Sequence, residues 1–192
     1  RSAISRKDDA ASPMEAARVI RREELFRICL ADLVGVADET QVQRALTDLT
    51  EALLDAALYI ATKKVGLERG TPVPSDIALI GMGRLGGGEC GYGSDADLIV
   101  VHAPHEGTEE PEALQAVTAV MLELRKLVGG AGPDPALEVD LDLRPEGKAG
   151  PVARTIEGYA GYYRRWSVTW ESQALVRARP VAGDGVRASE PL

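Results

Sequence analysis

Two aspartates one residue apart, in Ser94-Asp95-Ala96-Asp97 just ahead of the apolar stretch Leu98-Ile99-Val100-Val101, are the side chains best placed to do chemistry. Alternate residues of an extended chain share a face, so these two carboxylates originate roughly 6–7 Å apart. Like charges held that close repel unless a cation lies between them. Oxygen-only ligands of this kind suit Mg²⁺ or Mn²⁺, which carboxylates bind together with substrate phosphates. Residues 81–93 contain seven of the chain's 20 glycines, a density that signals unusual dihedrals or close backbone approach. Within it Gly86-Gly87 lets backbone N–H groups turn towards phosphate oxygens. A third acid from another strand completes such a site. Glu138, Asp140 and Asp142 are the candidates, because they share one face of an alternating stretch whose other face is Leu137, Val139, Leu141 and Leu143. Two metals so held would neutralise both the attacking and the leaving oxygen of an in-line displacement.

Other readings of the glycines are weaker. Gly81-Met82-Gly83-Arg84-Leu85-Gly86 fits the dinucleotide fingerprint G-x-G-x-x-G, but that fold needs a long crossover helix. Further glycines follow here instead, and the next strand starts within about a dozen residues. No Gly-Lys-Ser/Thr closes a Walker loop. Arg144, on the face of Asp140, is either a stabiliser of developing charge or a partner for Asp142 or Glu138. Arg84 and Lys148 read as solvated, and His102 and His105 have no metal-ligand spacing.

The elements that must position these groups follow from periodicity. Ser12-Pro13-Met14-Glu15 is a helix start with a cap, a proline and a capping-box acid. Val19, Phe26, Leu30 and Leu33 follow at helical spacing, with Gly35 as the stop. Asp38 with Gln41 opens a second helix whose stripe is Val42, Leu46, Leu49, Leu53, Ala56 and Ile60, and the two are expected to pack as an antiparallel pair. Thr71–Ser75 is a linker, Ile77–Ile80 a buried strand, Leu98–Val101 the next strand, and 112–128 a helix ended by Gly129-Gly130. Residues 137–143 alternate as a strand. A helix is predicted over about 155–179, with Tyr159, Tyr163, Trp166 and Trp170 read as a core stripe in preference to a docking surface. The organisation expected is a helical segment over residues 1–70, frayed at its start, and a catalytic core over 71–192.

The chain has 192 residues, a net charge of −8, a pI near 4.9 and 4% aromatic residues. These values argue against a basic or ring-stacking nucleic-acid surface. No apolar run reaches the length of a membrane span. Cys29 and Cys90 lack framework spacing, so reduced thiols and a cytoplasmic location are expected. A start at Arg1 and the turn-rich ending Ala188–Leu192 suggest a piece of a longer protein.

Three long motifs carry a family resemblance: Gly81-Met82-Gly83-Arg84-Leu85-Gly86-Gly87, Gly91-Tyr92-Gly93-Ser94-Asp95-Ala96-Asp97-Leu98, and Val139-Asp140-Leu141-Asp142-Leu143-Arg144-Pro145-Glu146-Gly147. With Tyr162–Trp166 and Trp170–Leu175, and with the helical stretch Arg21–Leu33, they resemble a nucleotidyltransferase core of the glutamine synthetase adenylyltransferase family. The resemblance covers most of residues 15–184. It implies an α+β fold, a DNA polymerase beta-like core of small mixed sheet and flanking helices after a helical segment. It further implies Asp95, Asp97 and Asp140 as catalytic metal ligands for two Mg²⁺ (or Mn²⁺) ions. Gly86, Gly87, Ser94 and Arg144 would lie at the nucleotide. ATP is the implied donor, glutamine synthetase the protein substrate, and the PII signalling protein a partner of the full-length enzyme.

Family members carry two related cores, one transferring AMP from ATP and one removing it by phosphorolysis to ADP. Gly91-Tyr92-Gly93-Ser94-Asp95 and Trp170-Glu171-Ser172-Gln173 resemble the transferring core, whereas Arg177–Asp184 is closer to the removing one. Gly88 and Cys90 depart from the family's usual residues beside the phosphate loop. A regulatory module without turnover and a nucleotidyltransferase for small molecules or RNA ends are the remaining readings. The intact acids oppose the first, and acidity with few aromatics opposes RNA.

Overall fold

The computed structural model describes residues 13–129 and 135–183. The predicted cap at Ser12, the frayed start, and the residues Gly130, Pro133 and Asp184 lie outside them. Helices α1 (Pro13–Leu33) and α2 (Glu39–Arg69) lead into strand β1 (Ser75–Gly81), the short helix α3 (Gly83–Gly87) and β2 (Ala96–Pro104). Then come α4 (Glu110–Gly129), β3 (Val139–Asp140), a 3-10 turn at Gly147–Ala149, and β4 (Ala153–Arg154). The described residues then continue with α5 (Ile156–Arg165), α6 (Thr169–Ala174), a second 3-10 turn at Leu175–Arg177, and β5 (Arg179–Gly183).

The five strands form one mixed sheet in the order β3-β2-β1-β5, with β4 also beside β2. Strands β1 and β2 are antiparallel, as are β1 and β5, while β3 and β4 each run parallel to β2. The antiparallel β1–β2 pair bears out the rejection of the dinucleotide fingerprint, which requires parallel strands around a crossover helix.

Alternation along β2 divides the side chains between two faces. Leu98 and Val100 enter a large cluster with Leu46, Leu54 and Leu58 of α2, Val117, Met121 and Leu124 of α4, and Val181 of β5. Ile99 turns the other way, towards Met82 and Tyr159 of α5, with Val101 packed alongside. The Asp38 cap is as expected: its carboxylate accepts from the Gln41 amide at 2.9 Å, and the Gln41 side chain accepts from the Asp38 amide at 2.9 Å. The buried face of α2 is broader than the predicted stripe. It adds Leu54, Ala57, Leu58, Ala61 and Val65, while Leu49, Ala56 and Ile60 are only half-buried.

Four expectations need correction. In α1 the face packed inward carries Met14 and Ile28, and Val19, Phe26, Leu30 and Leu33 point to solvent, Phe26 being 71% exposed. Helical spacing identifies a stripe but does not say which stripe faces the neighbour. The strand at 137–143 makes ladder bonds only at Val139–Asp140, because the Asp142 amide donates to Asp140 Oδ1 at 2.6 Å and turns the chain out of the sheet. Burial nonetheless alternates through residues 137–142.

The predicted helix over 155–179 is broken after Arg165. The Ser167 hydroxyl donates to the Tyr163 carbonyl at 2.8 Å, and buried Glu171 accepts from the Val168 amide at 3.0 Å and the Tyr162 hydroxyl at 2.9 Å. These bonds end α5 and start α6, a break that periodicity does not reveal. The aromatic stripe divides accordingly: Tyr159 is buried and donates its hydroxyl to the Val100 carbonyl at 3.0 Å, whereas Trp166 and Trp170 are exposed.

Candidate active site

Asp97 lies in β2 and Asp140 in β3, and the parallel register places them side by side. The Ala96 amide donates to the Glu138 carbonyl at 2.8 Å, which locks that register. Asp95 stands one residue before β2, in the turn that delivers the chain to the sheet. One carboxylate oxygen from each of Asp95, Asp97 and Asp140 lies within 4.8 Å of the others. Alternation alone leaves Glu138, Asp140 and Asp142 as candidates for the third acid, and the fold brings Asp140 to the pair. Asp95 is exposed, and the other two are half-buried. Burial, followed by the charges of Asp95 and Asp140, pushes the Asp97 carboxyl above its ordinary pKa. Three carboxylate oxygen donors gathered this closely fit a hard divalent cation, whose binding would favour the ionised form of Asp97.

Glycine supplies the room around Asp97. A side chain at Gly83 would collide with Asp97 Oδ2, and the residue sits at φ +51°, where L side chains are disfavoured. Gly83 therefore belongs to the site, although in the sequence it stands out only as part of the rejected fingerprint. Gly86 serves packing instead. A Cβ there would overlap the carbonyls of Arg177 and Gly81, so its absence allows α3 to lie flush against β1 and the second 3-10 turn. Gly87 is exposed beside Arg177. The Ser94 hydroxyl accepts from the Gly91 amide at 2.8 Å and so shapes the turn before Asp95.

The loop between α3 and β2 is fastened at several points. The Cys90 amide donates to Thr47 Oγ1 of α2 at 3.2 Å, and Arg177 pairs with Glu89 at 2.6 Å. Arg179 reaches both the Glu51 carboxylate and the Leu85 carbonyl. The exposed Tyr92 donates its hydroxyl to Asp32 of α1 at 2.9 Å. Cys90 and Cys29 are both free thiols.

A cleft of about 530 Å³ opens beside the carboxylates, within the size range of small-ligand sites. Its walls include Asp95, Asp140, Glu138 and Asp142 and the cations Arg125, Arg144 and Lys148. Arg144 donates to the Leu141 carbonyl at 2.7 Å and to that of Gly150 at 3.3 Å, and lies 3.5 Å from Asp142. Of its two expected roles, the structure displays the Asp142 partnership. Lys148 also reaches Asp142, at 3.2 Å. Arg125, from the last turns of α4, is not identifiable from the sequence, since a lone arginine in a helix has no motif. His102 is buried and His105 bonds Asp76 at 2.9 Å, and neither belongs to the cluster of Asp95, Asp97 and Asp140.

Comparison with known proteins adds an independent line. A family model described as glutamate-ammonia ligase adenylyltransferase matches residues 1–190. Over 189 residues the chain is 46% identical to the bifunctional glutamine synthetase adenylyltransferase/adenylyl-removing enzyme of Nocardia farcinica, covering 97% of this chain and 19% of that protein. The enzyme of the same name from Streptomyces coelicolor is 46% identical over 196 residues, 95% of this chain and 19% of that one. That from Mycolicibacterium smegmatis is 47% identical over 183 residues, 95% and 18% respectively. The chain thus spans about a fifth of the length of the curated relatives it matches.

Proposed function

The chain belongs to the glutamate-ammonia ligase adenylyltransferase family, and from that premise we propose that it is a DNA polymerase beta-like nucleotidyltransferase core that transfers AMP from ATP to a tyrosine of glutamine synthetase. The observation carrying this reading is the convergence of Asp95, Asp97 and Asp140 within 4.8 Å at the β2–β3 junction. Those three carboxylates would hold two divalent ions, Mg²⁺ or Mn²⁺. When bound, such ions neutralise phosphate charge and polarise the reacting oxygens. Gly83 keeps the space beside Asp97 open, and the Ser94 turn leads into Asp95, so the chain supplies a preformed set of ligands, two half-buried and one exposed.

The reaction forms a bond between the tyrosine oxygen and the α-phosphorus and breaks the bond from that phosphorus to the bridging oxygen. Pyrophosphate leaves, and the hydroxyl proton passes to Asp140 or to water. An unperturbed tyrosine has a pKa of about 10, so a carboxylate at the attacking oxygen lowers the cost of removing that proton.

The test is incubation of the chain with labelled ATP, Mg²⁺ and unmodified glutamine synthetase, run beside adenylylated enzyme with orthophosphate. Label on glutamine synthetase supports the transferring reading. Release of ADP in the second tube, without labelling in the first, replaces it by the removing activity. Asp95→Asn and Asp97→Asn are expected to lose the label, and labelling at the wild-type rate by either variant would overturn the assignment.

A further inference from the structure

We infer that the outward face of α1 is an interface inside the full-length polypeptide, covered by an amphipathic helix from the part of it beyond these 192 residues.

Helix α1 has two faces that ask for a neighbour. On one, Met14 and Ile28 pack with Ala17 and Leu25 into the cluster that holds Leu46 and Leu53 of α2. Arg18 and Arg21 donate from α1 to the carbonyls of Leu127 and Pro135, which ties it to the last turn of α4 and the segment after it. The second face is a seam of Ala16, Val19, Glu23, Phe26, Leu30 and Leu33, all exposed, at steps of 3, 4, 3, 4 and 3 residues. That rhythm is the a/d seam of a heptad repeat, the narrow stripe into which a second helix sets its side chains. Isolated exposed apolar residues need no partner, but a contiguous seam along a whole helix marks a contact surface.

The length of the relatives identifies what lies against it. The matched stretch includes α1 and is 18–19% of each curated relative, so in those proteins the core is joined to a body about four times its own size. A helix of that body is tethered to the seam, and tethering raises its effective concentration above that of any separate molecule. The seam also sits on the layer behind α2, while Asp97 belongs to the opposite face of the sheet. A helix docked there is a fixture of the architecture and leaves the carboxylates open. Glu23 is the one polar member of the seam. A parallel second copy in register would bring two Glu23 carboxylates together, whereas a different helix can set a basic or polar residue opposite and so fix the register.

The test is hydroxyl-radical oxidation of Phe26, read by mass spectrometry in the 192-residue chain and in the full-length polypeptide. Oxidation should be about fivefold slower in the full-length protein, as a ring that is 71% exposed enters the buried core of an interface. Leu30→Lys should restore fast oxidation there, yet shift the melting temperature of the 192-residue chain by less than about 2 °C, as expected of an exposed position. Equal oxidation of Phe26 in the two proteins would overturn the inference, as would protection that survives Leu30→Lys or a large loss of stability in the shorter chain. Protection of the 192-residue chain that grows with its own concentration would assign the seam to a second copy instead. Protection of the full-length protein only after glutamine synthetase is added would assign it to the substrate, and either result overturns the proposal.

Discussion

On the sheet face covered by α2 and α4, Leu54, Leu79, Leu98, Val100, Val117, Val120 and Leu124 are completely buried, in one cluster reaching from Met14 to Ala182. On the opposite face the buried cluster is Met82, Ile99 and Tyr159, and the same strand parity that places Ile99 there places Asp97 there too. One face is overdetermined by packing and the other is thinly covered. That asymmetry explains how a crowded acidic site is tolerated. The stability comes from the thick side, and the thin side carries Asp97, whose pKa is raised first by burial and then by the charges of Asp95 and Asp140. A site of this kind is held in place by the packing behind it.

The two faces should respond differently to substitution. Asp97→Asn, on the thin face, should lower AMP transfer by about three orders of magnitude, given the several kcal/mol that charge stabilisation supplies. Because the native environment disfavours the ionised form of Asp97, the substitution should leave the melting temperature unchanged or raise it. A large loss of stability would break the contrast. Leu54→Ala on the thick face should do the reverse, costing about 3 kcal/mol in denaturant unfolding through the cavity it leaves. At temperatures where that variant stays folded, its transfer rate should be near normal.

The thick face also has a polar flaw. His102 is 2% exposed, shares Nδ1 with the Ser75 hydroxyl at 3.3 Å and leaves Nε2 without a partner. Burial lowers its pKa, and the charge of Glu110 opposes this only in part. The unfolded state therefore binds the proton more readily than the folded one. Stability is retained above the unfolded value of about 6.5 and falls as the pH drops below it. Equilibrium unfolding at pH 7.5 and 5.5 should show this loss, and His102→Gln should reduce the difference between the two. The smallest effect is expected at Trp166, which is 71% exposed: Trp166→Ala should change stability by less than about 0.5 kcal/mol.

Local chemistry explains what could be read from the sequence. The Asp38 cap, the α2 and α4 stripes and the pairing of Asp95 with Asp97 are written in spacings of one to four residues. Asp140 is accessible because its neighbours alternate and its motif is long. Strand β5 is not: Arg179-Pro180-Val181-Ala182-Gly183 has no alternation, and it joins β1 through a register shift between Leu79 and Ile80. The exposed stripe of α1 and the isolated cation Arg125 are hidden for one reason. Which face of a helix meets a neighbour is decided by parts of the chain far away in sequence.

The bond between Tyr92 and Asp32 makes this concrete for anyone interpreting variants. Asp32 lies sixty residues upstream of Tyr92, yet it touches the turn that delivers Asp95. A genetic change at position 32 would look remote from the chemistry on a linear map. In the folded chain its side chain is separated from Asp95 by only one turn, and it should be scored with that turn.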